Sequence, residues 1–214
     1  MTRGRFITLE GGEGAGKSTQ CGLLAAWLAE QGIEAVQTRE PGGSRRAEAL
    51  REILLSGLVK PFGAEAEALI FAVARADHMN EKIRPALNSG SWVVCDRFID
   101  STRAYQGANG VDPHELNRLE KLAVGSDRPD LTVILDVPAV VGLYRAQSRT
   151  APVDRFEAED IAVQETRRRI FLDIAGLETE RCVVVDGSKT PELVARAIQD
   201  AVKARLGAWL PDAG

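Results

Sequence analysis

Gly-Gly-Glu-Gly-Ala-Gly-Lys-Ser at positions 11–18 is an unbroken G-x-x-x-x-G-K-[ST] loop. The apolar run Phe6-Ile7-Thr8-Leu9 precedes it, and the helix-like Cys21-Gly22-Leu23-Leu24-Ala25-Ala26-Trp27-Leu28 comes after. A strand that turns through glycines into a helix constrains the chain strongly. Gly11, Gly12, Gly14 and Gly16, with Glu13 and Ala15 between them, let successive backbone N–H groups turn inward around a polyphosphate. Lys17 adds a mobile cation, the Ser18 hydroxyl suits Mg2+ bound between two phosphates, and Thr19 completes the loop's ligand set. The implied ligand is a nucleoside triphosphate. Glycine-rich turns also join strands to helices without binding anything, but the terminal Lys-Ser and both flanking elements weigh against that reading.

A chain of 214 residues accommodates one well-packed α/β domain, so residues 1–214 are read as one domain. Its 27 Lys+Arg against 31 Asp+Glu give a formal net charge of −4, which disfavours a nucleic-acid binder, whose footprint is usually basic. No apolar stretch approaches a membrane span or a signal-peptide core. Cys21, Cys95 and Cys182 lack C-x-x-C spacing, so neither a disulfide framework nor a zinc site is suggested and a reduced, cytoplasmic setting is the default.

Short β-type runs at 5–10, 33–38, 91–95, 131–137 and 181–186 alternate with helical patterns at 17–31, 45–55, 64–87, 113–124, 138–148, 158–177 and 191–206. Several of the runs are continuously apolar, as in a parallel sheet covered by helices on both faces. Ligands of such sheets sit beyond the carboxyl ends of the strands. Glu10, Arg39, Asp96, Asp136 and Asp186 all fall at or just past such ends; each alone is an ordinary cap or loop residue, whereas five together favour a polar active edge. The polar, Pro-containing, Arg-rich segment 147–155 reads as a mobile flap, giving a lid around 147–157.

Many chains carry this loop, so function depends on the segments downstream of it. Neither Asn-Lys-x-Asp nor a strand-end Asp-x-x-Gly is present, which argues against a GTPase. Instead Trp92-Val93-Val94-Cys95 runs into Asp96-Arg97-Phe98, a carboxylate suited to Mg2+ through water beside a guanidinium suited to a second phosphate. On residues alone, a surface ion pair is the lesser reading of Asp96-Arg97.

Thr38-Arg39-Glu40-Pro41-Gly42-Gly43, Asp96-Arg97-Phe98 with Ser101-Thr102-Arg103-Ala104-Tyr105-Gln106-Gly107, and Arg128-Pro129-Asp130-Leu131-Thr132 through Asp136-Val137 occur in that order. Together with the loop they resemble the signature segments of bacterial thymidylate kinases, from the loop through Glu157 and less sharply beyond. The resemblance implies a P-loop NTPase-type fold with a five-stranded parallel sheet, a homodimer, and phosphoryl transfer from Mg2+-ATP to thymidine monophosphate (dTMP).

It also implies residue roles. Glu13 corresponds to the acidic position directed at the acceptor's 3′-hydroxyl, Phe71 to the ring stacked on thymine, and Arg75, one turn on, to the donor for a thymine carbonyl. Read without it, Phe71 is an ordinary core residue and Arg75 a solvated surface charge. Arg97 matches the acceptor-phosphate clamp, supported by Arg39 and Arg51. Tyr105 matches the ring packed under the sugar, Ser101 and Gln106 match positions near the base, and Pro41 belongs to the same turn, where Glu40-Pro41 is a candidate cis peptide. Arg145 and the turn 186–190, with Lys189, match the adenine site. Some family members carry an arginine inside the phosphate loop; this chain has Glu13-Gly14-Ala15 there, and Arg149 and Arg155 in the flap match the lid arginines of the other subtype. A related kinase acting on a nucleoside or another monophosphate, and a nucleotide-dependent switch with no acceptor, are the competing readings.

Overall fold

The computed structural model describes residues 2–148, 156 and 159–210. Five parallel strands, β1 (Phe6–Glu10), β2 (Ala35–Arg39), β3 (Trp92–Asp96), β4 (Leu131–Asp136) and β5 (Cys182–Asp186), form one sheet in the order β2-β3-β1-β4-β5. The chain leaves β1 toward β2 and β3 on one side and later crosses to β4 on the other. The loop after β1 therefore opens at the switch point, where parallel sheets bind ligands.

Between the strands run α1 (Lys17–Glu30), α2 (Arg45–Leu55), α3 (Ala64–His78), α4 (Arg84–Asn88), α5 (Ile99–Ala108), α6 (Pro113–Val124), α7 (Ala139–Gln147) and α8 (Ile161–Leu177), and α9 (Pro191–Leu206) follows β5. Alternation along the strands divides the core. Ile7, Leu9, Val94, Val133 and Leu135 pack with Leu24 and Leu28 of α1 and Ile198 and Val202 of α9. On the opposite face Phe6, Val93 and Cys95 meet Ile83, Leu87, Phe98, Ile99 and Val124, while Ile134 meets Tyr105, Phe171 and Ile174. The sheet is thus covered on both sides, and the α/β P-loop NTPase-type fold is the observed one. Among the described residues no helix is long and apolar enough to cross a membrane.

Two local differences from the sequence reading have physical causes. The single helix expected over 64–87 is α3, one wider π turn at Met79–Ile83, and α4. Pro85 has no N–H to donate and crowds the carbonyl four residues back; the wider turn lets the rod continue past it. Helix α5 has no counterpart among the helical patterns of the sequence. Phe98, at its N-cap, has no side-chain acceptor; instead Glu10, from the end of β1, accepts from Phe98 N (2.7 Å) and Ser101 N (3.2 Å). A cap supplied from 88 residues away leaves no local signal.

Candidate active site

The five polar residues expected along one edge are the terminal residues of the five strands. Their roles differ. Asp136 is held by Arg168 at 2.6 and 3.0 Å, and Asp186 accepts from Ser188 N and Oγ in its turn, so these two serve local structure. Arg39 and Asp96 line a cavity of about 460 Å3. Glu10 lies fully buried beneath it.

The phosphate loop forms one wall of that cavity. Gly14 sits at φ +65, and a Cβ on it would run into the Gly142 carbonyl of α7, so the loop tolerates only glycine there. Because α1 starts at Lys17, the N–H groups of its first turn, Ser18 and Thr19 included, have no intrahelical acceptor and are free for an anion. Lys17 folds back over the loop, its Nζ donating to Gly11 O (3.0 Å) and Gly12 O (2.7 Å). Burial and then the Arg97 charge lower its pKa to about 8, against the pull of Glu13, Asp96 and Glu10. Ser18 Oγ donates to Asp96 Oδ2, bringing a hydroxyl and a carboxylate together at the loop.

The adjoining wall comes from the turn after β3. Arg97 has φ +67, a left-handed conformation uncommon in a non-glycine residue. Its Nη2 donates to Glu13 Oε1 (2.7 Å), its Nη1 to Ser101 Oγ (3.2 Å) and Gly11 O (3.3 Å), and its guanidinium lies 4.9 Å from the Tyr105 ring centroid. The Tyr105 hydroxyl donates to the same Glu13 oxygen at 2.6 Å. Burial would raise the Glu13 pKa, but Arg97, Lys17 and the Tyr105 hydrogen bond outweigh it and hold the carboxyl at about 2. Glu10 behaves oppositely: burial and then the Asp100 charge push it to about 7, despite hydrogen bonds from Ser101 Oγ (2.6 Å) and Phe98 N and the nearby Arg97.

Deeper in, Arg75 is 3% exposed, which excludes the solvated-charge reading. Its Nε donates to Glu40 Oε2 at 2.7 Å and its Nη2 to Phe98 O and Thr102 Oγ1, each at 3.0 Å. Phe71, one turn earlier, is partly buried and lines the cavity. Arg51 Nη1 donates to Pro41 O (2.8 Å), and the Glu40-Pro41 bond is cis. Arg39 is held by Glu48 at 3.0 Å. At the other end Arg145 donates to Gly187 O (2.7 Å) and Ser188 O (2.9 Å), joining α7 to the turn that carries Lys189.

Of the sequence-derived site residues, Glu13, Gly14, Ala15, Gly16, Lys17, Ser18 and Thr19 line this cavity, as do Arg39, Pro41, Arg51, Phe71 and Arg75. So do Asp96, Arg97, Ser101, Tyr105, Gln106, Arg145 and Lys189. Gly11 and Gly12 lie behind the loop, offering their carbonyls to Lys17. Arg149 and Arg155 lie outside the described residues. The sequence reading missed Glu40, Thr102 and Phe156, which also line the cavity. Glu40 stands inside a quoted signature segment, but nothing local marks it as the partner of a residue 35 positions away.

A phosphate loop at the switch point, a strand-end aspartate on the loop serine, and further arginines lining the same cavity define a P-loop phosphotransferase. A family model described as thymidylate kinase matches residues 9–198. The thymidylate kinase of Bradyrhizobium sp. (strain ORS 278) is 54% identical over 207 residues, covering 95% of this chain and 92% of that protein. That of Bradyrhizobium sp. (strain BTAi1 / ATCC BAA-1182) is 55% identical over 208 residues, with the same coverages. The crystal structure of thymidylate kinase from Ehrlichia chaffeensis matches with a TM-score of 0.75 at 34% identity, over 94% of this chain and 99% of that one. The chain belongs to the thymidylate kinase family.

Proposed function

We propose that this cavity is where the chain transfers the γ-phosphoryl group of ATP to dTMP to give dTDP, with ATP on the loop side and dTMP on the side of Phe71, Arg75, Arg97 and Tyr105. The observation that carries this division is the Glu13, Arg97 and Tyr105 cluster beside Lys17 and the Ser18–Asp96 pair in one cavity.

The acceptor phosphate is already an anionic nucleophile, so the site has no need of a general base. Alignment and charge neutralisation remain. Lys17 leaves the Gly11 and Gly12 carbonyls for phosphate oxygens, which stabilise its charged form more than two neutral carbonyls do. Arg97 exchanges Glu13 for the acceptor phosphate, and Glu13, released, accepts from the 3′-hydroxyl. Tyr105 packs under the sugar and Phe71 on the base, with Ser101 and Gln106 near it; Arg39 and Arg51 add positive charge beside the acceptor phosphate. Arg145 and the turn with Lys189 hold the adenine. Ser18 and Asp96 are hard oxygen donors of the kind Mg2+ accepts alongside phosphate and water. When bound, the ion neutralises charge on the transferring phosphates. With no arginine in the phosphate loop, Arg149 and Arg155 of a lid around 147–157 supply the cation for the transition state.

One domain, a cytoplasmic setting and a homodimer complete the reading. Leu69 and Val73, half exposed one turn apart on α3, are the kind of apolar surface a second copy covers, and sedimentation velocity tests it. The function itself is tested by coupled assay of ADP release with thymidine, dTMP, UMP and dUMP. The expected result is turnover stimulated by dTMP. Stimulation by thymidine alone would make the chain a nucleoside kinase, and none by any acceptor would favour a nucleotide-dependent switch.

A further inference from the structure

Three side chains without a task in the phosphoryl transfer form one buried row, with Glu40 at the wall of the acceptor cavity and Thr38 and His78 behind it. Thr38 in β2, Glu40 in the turn after it and His78 at the end of α3 are 7%, 5% and 0% exposed. His78 Nδ1 donates to Glu40 Oε1 at 3.0 Å, and His78 Nε2 meets Thr38 Oγ1 at 2.8 Å. The second carboxylate oxygen, Oε2, accepts from Arg75 Nε at 2.7 Å. A carboxylate accepts only, so the ring proton is assigned to Nδ1, and Nε2 takes the threonine hydroxyl. The row is enclosed. A Cβ on Gly43, at φ +87, would strike both the imidazole and the Thr38 hydroxyl, and Glu40 N is tied to Asp96 O at 2.9 Å.

The row ends on Arg75. Nε is taken by Glu40, Nη2 by Phe98 O and Thr102 Oγ1, and Nη1 has no hydrogen-bond partner among the described residues. A guanidinium is planar, so fixing Nε and Nη2 also fixes the plane and direction of Nη1. An arginine left to itself would retain several rotamers at such a site.

We propose that His78 and Glu40 are positioning residues which hold the Arg75 guanidinium in one orientation, and thereby set the preference for a carbonyl over an amino group at position 4 of the acceptor's pyrimidine. The proposal rests on the assignment of Arg75 to the base of dTMP under the proposed function. Its chemistry is one-sided. A guanidinium has donors only, a 4-carbonyl accepts, and a 4-amino group brings another donor. A fixed Nη1 facing that amino group leaves two buried donors unpaired, whereas a loosened Arg75 turns aside and tolerates it.

The test compares dTMP with 5-methyl-dCMP, which differs at position 4 and in the N3 proton that goes with it, in the full-length enzyme at saturating ATP. Kinetics and thermal unfolding are measured for Arg75→Ala, Glu40→Gln, His78→Leu, His78→Asn and Thr38→Val. His78→Leu and Glu40→Gln are expected to lower the ratio of kcat/KM for dTMP over 5-methyl-dCMP by roughly tenfold, the scale of one charged hydrogen bond. The change should fall on KM for dTMP, with KM for ATP unmoved. His78→Asn, whose amide nitrogen can take the place of Nδ1, should restore most of the preference, and Thr38→Val should lower it by less. If His78→Leu does not fold, Thr38→Val and Glu40→Gln carry the comparison. Folded variants that keep the native ratio while Arg75→Ala loses it would overturn the positioning role and leave the base-site assignment standing. A native ratio in Arg75→Ala would place the discrimination on the N3 proton and overturn the proposal, and an unmoved KM for dTMP in that variant would overturn the base-site assignment as well. An equal rise in KM for ATP and dTMP would mark the row as merely structural and overturn the proposal.

Discussion

At the scale of single residues, the site is built from charges that are partnered with one another or with the loop backbone. Glu13 neutralises Arg97, and the loop carbonyls occupy Lys17. Lys17→Ala should therefore abolish most turnover, by about 10³-fold or more, while thermal unfolding stays within a few degrees of the native protein. Near-native turnover would remove Lys17 from the mechanism. Phe71→Ala should raise KM for dTMP by roughly tenfold through lost stacking, without moving KM for ATP. Phe71 is only partly buried, so a collapse in thermal stability would instead favour the core role that its spacing alone suggests.

At the scale of elements, the turn into α5 depends on a carboxylate borrowed from β1. Burial and Asp100 raise the Glu10 pKa to about 7, above the ordinary value near 4.5, so the folded state favours the neutral acid. The stability this contributes is complete below about pH 4.5 and is lost as pH rises through about 7. Glu10→Gln mimics the neutral form at every pH. Urea unfolding at pH 5 and 7.5 should show the variant gaining on the native protein with rising pH, by an amount of order 2 kcal/mol. A constant difference between the two would mean that Glu10 does not titrate in this range.

At the scale of the whole molecule, segments far apart in sequence are joined by ion pairs around Glu178. It receives Arg103 of α5 at 2.6 Å, Arg128 before β4 at 2.9 Å and Arg181 before β5 at 2.8 Å. Burial raises its pKa, but the Arg103 hydrogen bond and the Arg181 charge outweigh burial and hold it at about 2. That stability is present above the ordinary value near 4.5 and lost as pH falls through about 2. Glu178→Gln should lower the melting temperature at pH 7 and narrow the gap to the native protein below pH 3; an unchanged gap across that range would exclude the linkage. The proposed lid makes a second claim at this scale. Arg149→Ala should cut kcat by about 10³-fold with little change in KM for dTMP, since charge on the transferring group peaks in the transition state. Arg155→Ala should act in the same direction, and steady-state kinetics showing native kcat in both would put the transition-state cation elsewhere.

The phosphate loop, the alternation of strands with helices and the strand-end polar residues are legible in the chain because each depends on neighbours in sequence: glycine at required dihedrals, apolar period, a carboxylate after a hydrophobic run. The division of labour among those polar residues is not legible there. Asp136 and Asp186 look like Asp96 in sequence, and only the folded surroundings give the first to Arg168, the second to its own turn and the third to Ser18. Helix α5, the burial of Arg75 and the row from Thr38 to Glu40 likewise depend on partners 23 to 91 positions away, or across adjoining turns of packed elements. Local propensity reports what a residue does to its own backbone; which charge meets which is decided by the sheet order and register that bring distant strand ends within hydrogen-bonding distance.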